Sequence, residues 1–307
     1  MRILVSGGAG FIGSNIVDAY IRYGHTVAVV DNLSTGLSEN LNPDAQFYQA
    51  DIRNSQEMAK VFDDFQPQIV NHHAAQIDVR KSTSDPLFDA DVNIIGSLNI
   101  MKASAEHHVK KLIYPSSGGA VYGDPEYLPA DERHPIRPIA EYGVSKHIVE
   151  HYLYVYGSNY DLNYSVLRYA NVYGPRQNVH GEAGVIAIFI GKLLSGEQPT
   201  IFGDGNATRD YVYVEDVVRA NVLALDHGDR TIINIGTGIE TSVNAIFSLI
   251  SNTVRSSIPP AFESARVGEI SRTFLSNHLA EKLLGWKPLT TIEDGIQKTV
   301  DHVKVVV

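Results

Sequence analysis

The feature that most constrains this chain is a glycine-rich turn near its start, Gly7-Gly-Ala-Gly-Phe-Ile-Gly13. The short apolar run Ile3–Val5 precedes this turn, and a mixed segment of helical character, Ser14–Tyr23, follows it. Glycines at this spacing let the backbone turn tightly from a strand into a helix and approach a diphosphate, whose charge the helix N-terminus stabilises. Because a β-branched run ending at Asp31 comes next, the spacing predicts a strand–helix–strand unit that binds a dinucleotide.

The first half of the chain alternates strand-like runs with longer mixed segments of helical character. The strand-like runs are Ile3–Val5, Thr26–Asp31, Ile69–Val70, Lys111–Tyr114 and Tyr164–Arg168. Continuous apolar strands separated by helices are typical of a parallel sheet covered on both faces, and right-handed crossovers make such a sheet doubly wound. We therefore expect an α/β fold with a doubly wound parallel (Rossmann) sheet.

The regular alternation ends after Arg168, where glycine and proline breakers surround one apolar helix candidate over 184–194. Strand and helix signals return over 211–235, and the tail from Ser242 onward is mixed. This pattern predicts a dinucleotide-binding Rossmann domain over 1–170 plus 210–240. A smaller interleaved α/β substrate-binding lobe is expected over 171–209 plus 241–307.

Charge and composition exclude several classes of function. The formal net charge is -10, which disfavours binding to a nucleic-acid backbone. The longest apolar stretch, around 185–190, is far shorter than the ~20 residues that span a bilayer, and the first residues do not form a signal peptide. The chain has no cysteine, so thiolate catalysis and cysteine-ligated metal sites are excluded. We expect a cytoplasmic protein with no bound metal, no membrane partner and no nucleic-acid partner.

Asp31 indicates which dinucleotide is bound. It lies 18 residues after Gly13, where a carboxylate can accept hydrogen bonds from both hydroxyls of an adenosine ribose. The same carboxylate would repel a 2′-phosphate, and no arginine follows it closely, so NAD is favoured over NADP. A cap at the end of the strand is the alternative role for Asp31. Asp51 and Ile52, after a further strand-like run, are candidates for contact with the adenine.

The motif Tyr142-Gly-Val-Ser-Lys146 carries the chemical signal. An i, i+4 spacing places both side chains on one face of a helix. Lowering the pKa of a phenol from about 10 to about 7 needs roughly 4 kcal/mol. One cation at ~4 Å supplies about that amount at an effective dielectric near 20, but only about 1 kcal/mol in water. The pair can therefore form a general base only in a partly dry site where an oxidised nicotinamide adds a second positive charge. A surface tyrosine beside a solvated lysine is the alternative.

Together these motifs resemble the extended short-chain dehydrogenase/reductase family, and within it the UDP-glucose (UDP-galactose) 4-epimerases. The resemblance spans nearly the whole chain, in the family's order. The matching stretches are Gly7–Gly13, Asp31–Gly36, His72–Gln76, Val92-Asn93, Ser116–Gly123, Tyr142–Lys146, Leu167–Gln177, Arg209–Val214 and Leu284–Pro288.

The resemblance implies a catalytic sequence and a set of NAD contacts. Tyr142 would take the proton of the sugar 4-hydroxyl while hydride leaves C4 for a tightly held NAD. Lys146 would hold the nicotinamide ribose and keep Tyr142 ionised, and the hydride would return to the other face of the rotated keto sugar. His72 and His73 are expected to pack at a strand end rather than act as the base. The expected NAD contacts are Gly7, Gly10, Phe11, Ile12, Gly13, Asp31, Asn32, Ser34, Thr35, Gly36, Asp51, Ile52, His73, Ala74, Ala75, Gln76, Asn93, Ser116, Tyr142, Lys146 and Tyr169.

One position departs from the family pattern. A Ser or Thr usually stands four residues before the tyrosine of the Val-Tyr-Gly motif, and here that position is Gly118. Either the neighbouring Ser117 donates to the sugar hydroxyl in its place, or Tyr142 works with less help. We expect Ser117 to take the catalytic role, with Ser116 nearer the nicotinamide.

The resemblance also assigns nucleotide-sugar contacts to the second lobe. The expected substrate contacts are Ser117, Tyr142, Asn171, Thr200, Phe202, Arg209, Arg266 and Glu269. Arg209 and Arg266 would clamp the diphosphate, since the guanidinium matches phosphate geometry, although a local ion pair with Asp210 is the alternative for Arg209. Thr273 falls where a bulky family residue screens N-acetylated sugars, and its small side chain predicts that UDP-N-acetylhexosamines are also accepted.

Three alternatives stay open at this point. A dehydratase of the family would carry an Asp-Glu pair where this chain has Gly119 and Ala120, whereas a UDP-uronate epimerase or decarboxylase is harder to exclude. A non-catalytic NAD-sensing protein of the same fold would not need the Tyr/Lys pair. The family usually forms homodimers through a four-helix bundle, for which Leu87–Glu106 and Glu141–Tyr156 are the candidate segments.

Overall fold

A computed structural model of the chain describes residues 1–178, 184–265 and 270–306. The strands are β1 Arg2–Ser6, β2 Thr26–Asp31, β3 Gln46–Gln49, β4 Ile69–His72, β5 Lys111–Ser117, β6 Asn163–Tyr169, β7 Asn171–Tyr173, β8 Thr200–Phe202, β9 Thr208–Arg209, β10 Tyr211–Tyr213, β11 Thr231–Ile235, β12 Thr241–Ser242 and β13 Ala261–Glu263. The helices are α1 Phe11–Arg22, α2 Ser55–Phe65, α3 Val79–Ser84, α4 Pro86–Ala90, α5 Gly96–Glu106, α6 Gly118–Val121, α7 Glu141–Asn159, α8 Val185–Leu194, α9 Val214–Leu223, α10 Val243–Val254, α11 His278–Leu284 and α12 Ile292–Val306. A π-helical turn, Asp91–Ile95, joins α4 to α5, and a short 3₁₀ turn spans Ser38–Asn40.

Among the described residues, seven strands form one parallel sheet in the order β11-β6-β5-β4-β1-β2-β3. The order reverses at β1, where the chain crosses from the β1-β2-β3 half to the β4-β5-β6 half. This arrangement confirms the predicted doubly wound Rossmann sheet. In such a sheet a ligand binds in the crevice at the carboxyl ends of the strands, at the point of reversal.

The central strands are buried because apolar residues predominate along them, whereas the edge strand β3 (Gln46–Gln49) is partly exposed. The central strand β1 has four buried residues in succession after Arg2, and β2 has five after Thr26. One apolar cluster, which includes Ile16, Tyr20 and Trp286, packs against one face of the sheet. A second, which includes Met58, Phe62 and Ile100, packs against the other. Both faces are therefore covered, as parallel sheets require.

A third apolar cluster lies in the second half of the chain. It combines α8, α10 and α12 with β10, and its buried side chains include Phe189, Ile250 and Val300. Around it, β7 pairs with β10, β8 with β13, and β9 with β12. Within the described ranges, no helix is both long and apolar enough to cross a bilayer.

Candidate active site

The carboxyl ends of the central strands bring most of the predicted cofactor residues to one edge of the sheet. Ser6 at the end of β1 is in register with Val30 on β2 and with His72 on β4. On the other half of the sheet, Ser117 at the end of β5 is level with Tyr169 on β6. The glycine turn, the His72–Gln76 segment and the Ser116-Ser117 pair therefore border one crevice.

The glycine turn has a backbone that favours glycine. Gly7 has φ 71°, and its N–H donates to the Val30 carbonyl at 2.8 Å. A Cβ on Gly13 would lie 2.2 Å from the Gly7 carbonyl oxygen, so any side chain there would collide with the turn. Helix α1 starts directly after Gly10, and among the described residues no side chain caps its first N–H groups. These donors suit a diphosphate, so the turn fits the dinucleotide predicted from its spacing.

Asp31 is held at the end of β2 by backbone donors. Its carboxylate accepts hydrogen bonds from the Ala9 N–H at 3.0 Å and from the Leu33 N–H at 2.8 Å. A Cβ on Gly36 would lie 3.0 Å from either Asp31 oxygen, so this glycine leaves the carboxylate approachable. Asp31 thus caps the end of β2, the alternative role considered from the sequence, and also lies beside the glycine turn, where the predicted ribose contact would be made.

The adenine-side candidates form a small polar group next to Asp31. Asn32 Nδ2 donates to Asp51 at 2.9 Å, and Arg53 makes a salt bridge to the same carboxylate at 2.7 Å. The Arg53 guanidinium holds the pKa of Asp51 well below its usual range. Ile52 is buried against Gly96, while Ser34 and Thr35 are exposed. Asp51 is therefore a charged acceptor already occupied by protein donors.

His72 is a buried, neutral histidine whose hydrogen bonds define its tautomer. The Ala74 N–H donates to Ser6 Oγ at 3.3 Å, and Ser6 in turn lies 2.6 Å from His72 Nδ1. On the other side, His72 Nε2 lies 2.9 Å from Ser97 Oγ, which donates to the Asn93 carbonyl. Nδ1 is therefore the acceptor and Nε2 carries the proton. Burial, with the charge of Lys146 in second place, lowers the pKa of His72 to about 3.

His73 lies at the end of a second buried chain. Asn221 Nδ2 donates to the Tyr169 hydroxyl at 2.7 Å, and that hydroxyl lies 3.3 Å from His73 Nε2. His73 Nδ1 is buried and has no hydrogen-bond partner among the described residues. Burial lowers the pKa of His73 to about 3 as well. Both imidazoles are neutral and hydrogen-bonded to side chains of the protein. This fits the expectation that neither His72 nor His73 is the base.

Tyr142 and Lys146 lie one turn apart at the start of α7. Lys146 is 4 % exposed; its Nζ donates to the Pro115 carbonyl at 3.0 Å and lies 4.9 Å from the Tyr114 ring centroid and 5.9 Å from that of Tyr142. Burial lowers the pKa of Lys146 to about 8. Burial raises the pKa of Tyr142 and the charge of Asp89 raises it further, whereas the nearby Ser117 hydroxyl lowers it. The chain's own groups therefore keep Tyr142 a neutral phenol, because Lys146 is drawn toward the Pro115 carbonyl and the Tyr114 ring.

Asp89 joins the segments that carry the site, and no sequence motif points to it. It is fully buried and accepts hydrogen bonds from Gln76 Nε2 at 2.9 Å, Asn93 Nδ2 at 2.9 Å and Ser145 Oγ at 2.6 Å. Asn93 also exchanges two hydrogen bonds with the backbone of Gln76. Asp89 thus fixes two predicted cofactor residues and the helical turn between Tyr142 and Lys146.

Ser116 makes a hydrogen bond within the protein that the sequence did not predict. Its hydroxyl donates to the buried carboxylate of Glu150 at 2.6 Å, and Arg168 Nε donates to the same oxygen at 2.9 Å. Arg168 NH1 also donates to the Tyr122 hydroxyl at 2.9 Å. Glu150 stands four residues after Lys146, a spacing that could have marked it. Ser116 is thus hydrogen-bonded to the buried Glu150–Arg168 ion pair.

Ser117 and Gly118 show how the departure from the family pattern is accommodated. The Ser117 hydroxyl lies near Tyr142 and lowers the pKa of its phenol. A Cβ on Gly118 would lie 2.5 Å from Leu275 Cδ1, so the buried Leu275 side chain occupies the space that a family Ser or Thr would need. Of these two adjacent positions, only Ser117 presents a hydroxyl to the tyrosine.

The predicted substrate residues are distributed over the small sheets of the second half. Asn171 begins β7 and is exposed, and Thr200 and Phe202 bound β8, which pairs with β13. Arg209 ends β9, where its NH1 donates to the Thr208 carbonyl at 2.9 Å, and Asp210 instead binds backbone and hydroxyl donors. The buried Thr273 donates its N–H to the Thr208 carbonyl at 3.2 Å. Arg266 and Glu269 lie outside the described residues.

Comparisons with known proteins show which family and which solved structures this chain resembles. The model of the NAD dependent epimerase/dehydratase family matches residues 3–236. The UDP-glucose 4-epimerase of Mycolicibacterium smegmatis is 44% identical over 309 residues, which cover 98% of both chains. A crystal structure of UDP-glucose 4-epimerase from Thermotoga maritima with UDP-glucose has a TM-score of 0.98 and 46% identity, covering 100% of this chain and 99% of that one. The Thermus thermophilus UDP-glucose 4-epimerase in complex with NAD has a TM-score of 0.95 and 42% identity, with 100% of both chains covered.

Proposed function

This chain belongs to the NAD dependent epimerase/dehydratase family, and we propose that it is a UDP-hexose 4-epimerase that interconverts UDP-glucose and UDP-galactose. The observation that carries the proposal is the arrangement of Tyr142, Lys146 and Ser117 at the same edge of the sheet as the glycine turn. The similarity to UDP-glucose 4-epimerases extends over the whole chain, so the uronate epimerase, decarboxylase, dehydratase and NAD-sensing alternatives are not favoured.

The proposed chemistry assigns the proton to residues of this chain. When bound, NAD supplies the acceptor and donor of hydride for C4 of the sugar. Tyr142 takes the proton of the 4-hydroxyl and later returns it, and the positive charge of Lys146 favours the ionised phenol. Burial and the Asp89 charge favour the neutral phenol, so an ionised Tyr142 would need positive charge nearby, from Lys146 and from an oxidised nicotinamide.

Ser117 is proposed to orient the sugar hydroxyl toward Tyr142. A serine hydroxyl can donate to one oxygen and accept from another, so it can bridge a phenol and a substrate hydroxyl. Support comes from the Ser117 hydroxyl near Tyr142, which lowers the pKa of the phenol, and from Leu275, which fills the space beside Gly118.

The NAD contacts remain as proposed from the sequence, with the glycine turn for the diphosphate and Asp31 for the adenosine ribose. Support comes from the uncapped start of α1 and from the open approach to the Asp31 carboxylate. Thr35 and Ser34 are exposed beside this group, whereas Asp51 would contact adenosine while still bound to Arg53.

The division into a Rossmann domain (1–170 plus 210–240) and a nucleotide-sugar lobe (171–209 plus 241–307) is also part of the proposal. The separate apolar cluster of α8, α10 and α12 supports it, although β10 packs in that cluster and so contributes to both parts. Asn171, Thr200, Phe202 and Arg209 would bind the nucleotide sugar, together with Arg266 and Glu269.

A homodimer built on α7 is the proposed assembly in the cytoplasm. Val144, Ile148, Tyr152 and Val155 repeat along α7 at three- and four-residue intervals, and each is at least 36% exposed. Leu87, on the adjoining α4, is 82% exposed. Replacing Ile148 with Glu should convert a dimer to monomers in sedimentation equilibrium, whereas the same replacement at the exposed Ile239 should not.

The direct test is conversion of UDP-galactose to UDP-glucose by the purified protein without added NAD. Release of NAD on denaturation, detected by mass spectrometry, should accompany the activity. A parallel assay with UDP-N-acetylgalactosamine tests whether the small Thr273 admits N-acetylated sugars. No conversion of any UDP-hexose by protein that carries NAD would refute the proposed function.

A further inference from the structure

The charges buried around Lys146 do not balance without Asp89. Lys146 on α7 is faced by Tyr114 on β5, by His72 on β4 with His73 directly after it, and by Tyr142 and Glu150 on its own helix. The phenols and imidazoles are neutral, because burial raises the pKa of Tyr114 and Tyr142 and lowers those of His72 and His73. Among the residues that the structure describes, only the carboxylates of Glu150 and Asp89 are then left to compensate the ammonium.

Glu150 already has a counter-charge of its own. Arg168 on β6 donates to both Glu150 oxygens, and His147 Nδ1 lies 3.1 Å from one of them. Burial alone raises the pKa of Glu150, but these hydrogen bonds bring it down to about 2. The Glu150–Arg168 pair is therefore close to neutral as a unit.

Asp89, in contrast, accepts its three hydrogen bonds from neutral groups. The donors are the amides of Gln76 and Asn93 and the hydroxyl of Ser145, so the negative charge is solvated but not cancelled. A buried charge is costly unless it is paired. Ser145 directly precedes Lys146, and the Asp89 charge raises the pKa of both Lys146 and Tyr142.

We propose that Asp89 is a positioning residue of the active site, the buried counter-charge of the Lys146 ammonium, which also fixes the Tyr142–Lys146 turn through Ser145. This inference rests on the proposed function for its catalytic meaning, but the charge pairing does not depend on it. Removing the charge lowers the pKa of the phenol and of the ammonium together. Both limbs of a pH profile should then move toward acid, an effect that a merely structural side chain would not produce.

The first test is the replacement Asp89→Asn, which is nearly isosteric and keeps one oxygen for Gln76 and Asn93. In the full-length protein with its bound NAD, both limbs of kcat/KM against pH should move to lower pH by about one unit. Tyrosinate absorbance during an alkaline titration should show a matching acid shift that Tyr142→Phe abolishes. The control Ser145→Ala removes the hydrogen bond but not the charge, so it should lower kcat and leave the limbs in place.

A double-mutant cycle covers the case in which Asp89→Asn folds poorly. If Asp89 compensates Lys146, then Asp89→Asn should lower the midpoint of unfolding in the parent chain and raise it in a Lys146→Met background. Unshifted limbs, or an equal loss in both backgrounds, would overturn the inference. A parent chain that shows the cycle but does not epimerise UDP-hexoses would refute the proposed function and leave the charge pairing standing.

Discussion

Two buried aspartates, Asp89 and Asp210, show how the same side chain serves different purposes in two regions. Asp89 belongs to the proposed catalytic pocket, defined here by Tyr142, Lys146, Ser117 and Asp89. Asp210 lies where the two halves of the chain meet. It accepts hydrogen bonds from the Thr237 N–H at 2.9 Å, the Thr237 hydroxyl at 2.6 Å, the Gly238 N–H at 3.1 Å and the Leu275 N–H at 3.2 Å. We call this group the Asp210 anchor.

The difference lies in what surrounds each carboxylate. The donors of the anchor are mostly backbone N–H groups of loops, so Asp210 fixes the path of the chain. The donors of Asp89 are side chains that themselves belong to the site, and its charge acts on Lys146. The backbone donors of Asp210 therefore point to a structural role, and the side-chain donors of Asp89, next to the buried Lys146, support its proposed role in positioning the site.

Acid should also change the contributions of the two regions to the free energy of unfolding in opposite directions. Burial raises the pKa of Asp210, so the native state holds its proton more tightly than the unfolded state, and this contribution to stability falls as pH rises. The histidines beside the pocket have lowered pKa values, so their contribution falls as pH decreases.

The largest expected effect is the loss of turnover in Tyr142→Phe. Removal of the group that moves the proton should lower kcat by about 10³-fold, within the range for general acid–base catalysis. The free energy of unfolding should change by less than about 1.5 kcal/mol, since only one hydroxyl is lost. Tyr154→Phe, the same change on the exposed side of α7, is the control and should leave both quantities unaltered. Retention of turnover in Tyr142→Phe would show that Tyr142 does not move the proton, and the catalytic role proposed for the pocket would be wrong.

Next in size is the destabilisation by Asp210→Ala. One buried and three part-buried donors lose their acceptor, which should lower the free energy of unfolding by about 3 kcal/mol in urea titrations. The folded variant should keep a kcat close to that of the parent chain at low temperature. A large fall in kcat with unchanged stability would show that the anchor belongs to the catalytic machinery after all.

The pH dependence of stability gives an effect of about 2 kcal/mol. Between about pH 6.5 and pH 3 the unfolded state binds a proton on His72 that the native state excludes, so the free energy of unfolding falls with acid. From pH 7 to pH 5 this loss should amount to about 2 kcal/mol for His72. In a folded His72→Gln variant the unfolding free energy should lose that part of its pH dependence. An unchanged pH dependence in the variant would mean that His72 is charged in the native state.

Local spacing predicted a good part of these regions. The glycine turn, Asp31 and the Tyr142–Lys146 pair are each defined by residues close in sequence, and the alternation of apolar runs predicted the parallel sheet. Asp89 could not be found in this way, because its partners Gln76, Asn93 and Ser145 come from three separate segments. Its neighbours Asp85 and Asp91 look the same in sequence, yet they lie at a helix start and in an exposed pair with Arg53.

The break within Leu87–Glu106 had no sequence signal either. The segment contains no proline and only one glycine, so its sequence does not mark the π-helical turn at Asp91–Ile95. The side chain of Asn93, on this turn, binds the Gln76 carbonyl and Asp89. Tertiary hydrogen bonds of this kind accompany a local change in helix type, and π-turns are frequent at functional sites.

The smallest of the four effects concerns the point where the two regions meet. Leu275 donates its N–H to Asp210 and packs its side chain against Gly118, next to Ser117. Ser117→Ala should lower kcat at least about tenfold, because the sugar hydroxyl loses the donor that aligns it with Tyr142. The measurement is steady-state turnover of UDP-galactose, with the folded fraction checked by thermal unfolding.

A matching gain-of-function variant tests whether position 117 or position 118 can carry the hydroxyl that aligns the sugar. Gly118→Ser alone should destabilise the protein, since its Cβ would meet Leu275 Cδ1 at 2.5 Å. Adding Leu275→Ala opens that space and should let the hydroxyl introduced by Gly118→Ser restore part of the turnover lost in Ser117→Ala. Full activity in Ser117→Ala would show that Tyr142 works without a serine. Recovery in the triple variant would show that the Leu275 side chain, whose backbone is held by the Asp210 anchor, is what prevents position 118 from carrying the serine hydroxyl.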